Sequence, residues 1–177
     1  MERAFHALDR FRSLLGGIAL GLAIALFAMS LLLLASDILM RYGFNEPMAY
    51  VSELVTIAFI YVYLLGAAAL YARNEDLVLD LLYSRVGPRL RQVWLLLIYL
   101  GIAVTMIVTL QVTIELMILQ RHMPTPLLRI PLIIQHGALV ACCVVILVSS
   151  LVDALGCLVW LRSGREPWPA RAAAAHH

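Results

Sequence analysis

The chain has 177 residues, 63 % of them hydrophobic and 14 % charged, and its thirteen basic residues, all Arg, leave a net charge of +2. A soluble domain of that size has too little interior to hide so much apolar surface, and so small a net charge excludes a strongly basic nucleic-acid binder. The solvent that fits is a bilayer, and the length suits a single domain.

Arg3, Arg10 and Arg12 lead into an uncharged run from Leu14 to Ser36. At ~1.5 Å per residue this run reaches about 34 Å, enough to cross a hydrocarbon core of about 30 Å. It is too long for an ordinary secretory signal and has no convincing small-residue cleavage site, so it is expected to be retained. The stretch DILMRYGFNEPMAYVSEL, residues 37–54, joins it to a second uncharged run, Leu54–Ala72. Next comes DLVLDLLYSRV, residues 76–86, with Leu77, Val78, Leu81, Leu82 and Val86 on one helical stripe and Asp76, Asp80 and Ser84 on the other side. It reads as a short amphipathic helix lying in the membrane interface, with a plain loop as the alternative. Gly87-Pro88 ends it. Gln92–Ile114 is the third uncharged run, and Ile130–Val152 the fourth, continuing past Asp153 to about Leu161.

The expected organisation is one four-helix membrane domain over residues 1–162, with spans at about 14–38, 50–72, 92–118 and 131–161. Helices are expected because lipid offers the backbone no hydrogen-bond partner, and transmembrane strands would be shorter and would alternate. Residues 163–177 read as a flexible tail ending in a tag-like Ala–His run, which leaves His176 and His177 out of the site reasoning. The arginines give direction. Arg3, Arg10, Arg12, Arg73, Arg85, Arg89, Arg91, Arg162, Arg165 and Arg171 fall on one side, against Arg41, Arg121 and Arg129 on the other. That bias places both termini and the interfacial helix in the cytoplasm, and Trp94 and Trp160 at the cytoplasmic interface. The fold class is therefore an all-α integral membrane protein.

A charged group at the bilayer centre costs roughly 3 kcal/mol on insertion scales, so the depth of each matters. Asp37, Arg41 and Glu53 fall near the outer end of the first two spans. Asp37 and Arg41 stand i,i+4 on one helix face, and the short connector lets Glu53 approach Arg41, so that one Arg with two carboxylates ties the hairpin; an ion or proton site is the functional alternative. Glu115, one turn beyond Gln111, lies toward the outer end of span three, where contact with a partner subunit and snorkelling into water both remain open. Asp153, toward the inner end of span four, is expected to reach water. Cys142, Cys143 and Cys157 share one apolar stretch without a CxxC pattern and read as packing thiols. His136 is alone in its span, so the paired histidines of a membrane haem protein are missing. No Ser-His-Asp grouping, metal-ligand spacing or phosphate-cradling loop is present, and no catalytic, cofactor or metal site is expected. Pro126 and Pro131 in TPLLRIP read as a rigid entry to span four. Small residues in span one, Gly16, Gly17, Gly21, Ala23 and Ala25, permit close helix contact, either inside the chain or with a partner.

With those residues in view, the chain from about Leu14 to Leu161 resembles the small membrane subunit of TRAP transporters, the tripartite ATP-independent periplasmic type, DctQ-like. Arg41-Tyr42, Phe44-Asn45, Pro47 and Glu53-Leu54 fit that family's hairpin. Gly66-Ala67-Ala68, Arg73 and Asp80 fit the end of its second span and the interfacial segment, and Ile130-Pro131 fits the entry to its fourth span. Tyr50 stands where the family usually has Trp, and Asp76 where it often has His. The resemblance implies a non-catalytic subunit of a bacterial inner-membrane complex. Its partners would be a large elevator-type membrane subunit, a periplasmic substrate-binding protein and lipid, with no nucleic acid. The small subunit would brace the large one and help dock the binding protein, in sodium-driven uptake of an organic acid. Asp37, Arg41, Tyr42, Asn45, Glu53, Arg73, Asp80, Glu115 and Pro131 are then the structural and interface candidates. Two rivals remain: an autonomous homodimeric exporter, for which a carboxylate deep in a span is missing, and a membrane redox protein, for which the histidine and cysteine pairs are missing.

Overall fold

The computed structural model describes residues 2–46, 48–72, 88–121, 123–125 and 128–163. Arg73, Asp80, the expected interfacial helix over 76–86, Pro47, Pro126 and the tail lie outside the described residues. Four helices account for nearly all the rest: α1 (Glu2–Gly43), α2 (Ala49–Ala72), α3 (Pro88–Leu119) and α4 (Ile133–Ser163). All four are long and apolar enough to cross a membrane, and no strand occurs among the described residues. Pro88 opens α3, at a helix position where the missing N–H would be unpaired in any case.

The helices form two pairs, α1 with α2 and α3 with α4; α2 packs on α4 to join the pairs, and α1 touches α4 less extensively. The lateral order is thus α1, α2, α4, α3. Burial follows that order: 44 % of the most apolar window of α4 and 33 % of that of α2 is buried, against 17 % in α1 and 6 % in α3. The central helices are covered by their neighbours, and the edge helices leave most of their surface to the surroundings. The 44–48 and 120–132 connections share one end of the assembly, called here the loop end. The start of α1, the end of α2, the start of α3 and the end of α4 mark the opposite, terminal end.

The contact face of α1 has a strict spacing. From Arg10 onward its buried and half-buried positions are Arg12, Gly16, Ala19, Ala23, Leu26, Ser30, Leu33 and Asp37, alternately four and three residues apart, flanked by Leu15 and Leu20. This is the 3.5-residue period of a left-handed seam. Gly16, Ala19, Ala23 and Ser30 are small enough for the partner helix to come close. Ala19 and Ala23 meet Leu65 and Ala69 of α2, with Leu20, Leu26, Tyr61 and Ala141 closing around them. The small residues of span one therefore divide. Gly16 and Ala23 serve this internal seam, while Gly17, Gly21 and Ala25 are exposed, and a Cβ added at Gly17 or Gly21 would meet nothing within 4 Å.

Hydroxyls in the helices are mostly satisfied by their own backbone. Ser30, Ser36, Thr56, Thr105, Thr109, Thr113 and Ser149 each donate to the carbonyl four residues earlier, and Ser52 and Ser150 to the carbonyl three earlier. This removes their cost in an apolar medium. Tyr61 instead bridges two helices, donating to the Ile134 carbonyl at 2.6 Å, with Gly137 of α4 leaving it room: a Cβ there would stand 3.2 Å from its hydroxyl.

Candidate functional site

At the loop end, α1 stops where the Met40 carbonyl accepts from both Phe44 N–H (3.1 Å) and Glu46 N–H (3.3 Å). Asn45 sits between them at φ 57°, a left-handed conformation that Asn tolerates better than most residues. Asp37 then holds the turn from inside. Its Oδ2 accepts from Arg41 Nη2 at 3.1 Å and its Oδ1 from Met48 N–H at 2.9 Å, so one carboxylate fastens the end of α1 to the start of α2. The Asp37 side chain is 13 % exposed and that of Arg41 57 %, which makes the pair an interfacial one with its cation facing outward. Tyr42 is 83 % exposed and takes no part in holding the turn.

Glu53 departs from the expected pairing with Arg41. Its Oε2 accepts from Leu128 N–H at 2.9 Å, on the other connection. Glu53 lies one turn into α2 on the flank that meets α4, and from there it reaches a backbone donor in the chain entering α4. That chain folds on itself: Thr125 N–H donates to the Ile130 carbonyl and Ile130 N–H to Thr125 Oγ1, each at 2.9 Å, and Leu132 N–H donates to the Met123 carbonyl at 3.2 Å. Arg129 makes the turn at φ 52°, a strained conformation for a residue with a Cβ. Pro131 forms an isolated bridge with Pro124 and precedes α4 by two residues. His136 Nε2–H donates to Gln120 Oε1 at 2.8 Å, so this histidine is satisfied inside the chain and ties the end of α3 to α4. Asp37 and Glu53 between them thus fix both connections to α2.

Glu115 and Gln111 are exposed on α3 and make no hydrogen bond among the described residues. They lie on the arc of α3 turned away from α4, its one substantial neighbour.

The terminal end overturns the expectation for Asp153. Rather than reaching water, Asp153 is buried and accepts at Oδ1 from Arg12 Nη1, across 141 residues of sequence, with side-chain exposures of 6 % and 3 %. Arg12, grouped from sequence with the cytoplasmic arginines that precede span one, lies on the α1 seam. Tyr99 of α3 stands within electrostatic reach of the pair, of Tyr71 of α2 and of Cys157, which is one turn after Asp153. Residue spacing could not reveal this contact, because it depends on α1 touching α4. The available signal was depth: both residues lie just beyond the terminal-end limits of their uncharged runs. The thiols of Cys142, Cys143 and Cys157 are free and buried. No group of three or more potential metal ligands occurs among the described residues.

Chemically, the arrangement holds things together. The stretches Leu14–Ser36, Leu54–Ala72, Gln92–Ile114 and Gly137–Val152 contain no Asp, Glu, Lys, Arg or His. Of the charged side chains that approach the membrane, Arg12, Asp37, Glu53 and Asp153 are engaged at the ends and hold helix to helix or helix to loop, while Glu115 stays exposed on α3. A protein-family model, described as the DctQ component of tripartite ATP-independent periplasmic transporters, matches residues 30–159. No curated protein and no solved structure matches the chain.

Proposed function

The chain belongs to the DctQ family of tripartite ATP-independent periplasmic transporters, and on that premise we propose that it is the fixed brace of such a transporter, moving no solute itself. A transporter component of this kind is a multi-pass membrane protein working beside other subunits. The finer reading is that the chain packs in a bacterial inner membrane against a large elevator-type subunit and helps seat the periplasmic substrate-binding protein. It would thereby support sodium-driven uptake of an organic acid. The observation that carries it is the placement of charge: the four long stretches at mid-membrane have none, while Arg12–Asp153 at one end, and Asp37–Arg41 with Glu53–Leu128 at the other, lock the helices together. A conducting path for an ion or a carboxylate needs polar groups at depth. A brace needs rigid helices with surface to spare, and α1 and α3 have it.

Two further features support the partners. Glu115 and Gln111 on the free arc of α3 would be costly against lipid and suit a polar contact with a neighbouring subunit. At the loop end, Arg41, Tyr42 and Phe44 are exposed on one connection and Arg121 and Arg129 on the other, and Arg and aromatic residues are common in docking surfaces. The test is affinity purification from membranes in mild detergent together with reconstitution. The expected result is co-purification of a large multi-span protein, and no solute accumulation by the chain alone in proteoliposomes. Accumulation driven by the isolated chain would overturn the reading in favour of an autonomous transporter.

A further inference from the structure

On α2, apart from Tyr50 in the first turn, the exposed residues fall on one narrow arc that includes Ser52, Thr56 and Tyr63. The Ser52 and Thr56 hydroxyls are satisfied by their own helix. A tyrosine cannot do this, because its hydroxyl sits beyond the ring, far from the preceding carbonyls. Tyr63 is 73 % exposed, and its hydroxyl has no hydrogen-bond partner among the described residues. It is also deep. Helical side chains lean toward the helix N-terminus, and the Tyr63 ring lies against Phe59, with centroids 6.2 Å apart, which directs the phenol away from the nearer terminal end and toward mid-membrane. Phe59 in turn meets Phe27 of α1 edge-on at 6.1 Å, so the aromatic row spans both helices of the pair. Apolar rings are at ease against lipid tails; an unpaired phenol is not.

We propose that this face of the α1–α2 pair docks a transmembrane helix of the transporter's large subunit, with the Tyr63 hydroxyl donating to a carbonyl, hydroxyl or amide oxygen on that helix. The inference rests on the brace reading and adds which side of the chain meets the partner. A different chain is favoured over a second copy. The same side carries the groove that Arg41 and Ser52 line at the loop end, and a two-fold axis along it would set two outward-facing Arg41 cations against each other.

The experiment places a photo-crosslinking amino acid at position 63 in the complex co-expressed with its large subunit, and in parallel measures dissociation of the Tyr63→Phe complex in mild detergent. The expected results are an adduct with the large subunit and dissociation about threefold faster for Tyr63→Phe, the effect of one modest intramembrane hydrogen bond. An adduct only with lipid or with a second copy overturns the docking face, and an unchanged dissociation rate overturns the hydrogen bond. If the wild-type chain retains the large subunit while these results fail, only this inference falls. If the wild-type chain retains no large subunit, the brace reading falls first and takes the docking face with it.

Discussion

Replacing Asp153 by alanine leaves the Arg12 guanidinium buried without its carboxylate. The side chains are 3 % and 6 % exposed, so neither charge is hydrated in the folded state. With an effective dielectric constant of ~20 the attraction between such charges at about 4 Å is roughly 4 kcal/mol, and removing one partner of a buried pair typically costs about 3–5 kcal/mol. Even the lower figure shifts the unfolding equilibrium roughly a hundredfold. Most of that cost is the stranded charge rather than the bond, so the double variant Arg12→Met/Asp153→Leu should recover the greater part of it. The chain supplies its own probe: Cys142, Cys143 and Cys157 are 5 %, 2 % and 2 % exposed and should label with a thiol-reactive dye only when the helices part. Heating purified protein in mild detergent with such a dye, across wild type, both single variants and the double, gives a full cycle. A coupling of about 2 kcal/mol or more is expected for a buried pair in contact. Single variants as stable as wild type, or costs that simply add, would refute the claim that this pair fastens α1 to α4.

Glu53→Ala should loosen the entry to α4, because Leu128 N–H loses its acceptor. A cost of about 1–3 kcal/mol is expected, read as faster proteolysis or hydrogen exchange confined to residues 123–132, with Glu53→Gln retaining part of the protection. Arg129→Gly should stabilise by up to about 1 kcal/mol, since glycine relieves the left-handed strain but also loosens the unfolded chain; a lower melting temperature would show that the Arg129 side chain holds the loop. In the α1 seam, Ala23→Leu should destabilise by about 1–3 kcal/mol through overpacking. Gly21→Ala, pointing into open space, should be neutral or slightly stabilising in the same thermal assay.

The helices themselves were legible because each carries an uncharged run of about the length a bilayer core requires, and lipid leaves such a run no other regular structure. Asp37–Arg41 was legible as well, since i,i+4 spacing is a local property of one helix. What sequence could not supply was lateral order. The α1–α4 contact decides that Asp153 meets Arg12 rather than water, and the α2–α4 contact decides that Glu53 reaches Leu128. The same ignorance blurred the small residues of span one. Five of them look alike in the sequence, and only the direction of the neighbouring helix separates Gly16 and Ala23 from Gly17, Gly21 and Ala25. Met48 N–H as the second donor to Asp37 was equally out of reach, being a backbone group with no identity in the sequence.

Because α1 is anchored at Arg12 and again at Asp37, that helix is pinned at two points some 38 Å apart, counted at ~1.5 Å per residue. Sliding it by a single turn, about 5.4 Å, would tear both anchors at once, and no compromise position saves one of them. Piston-like travel of α1 against its companions is thereby forbidden. Any vertical displacement of α1 has to carry α2 and α4 along with it, so the four helices can shift only as a block.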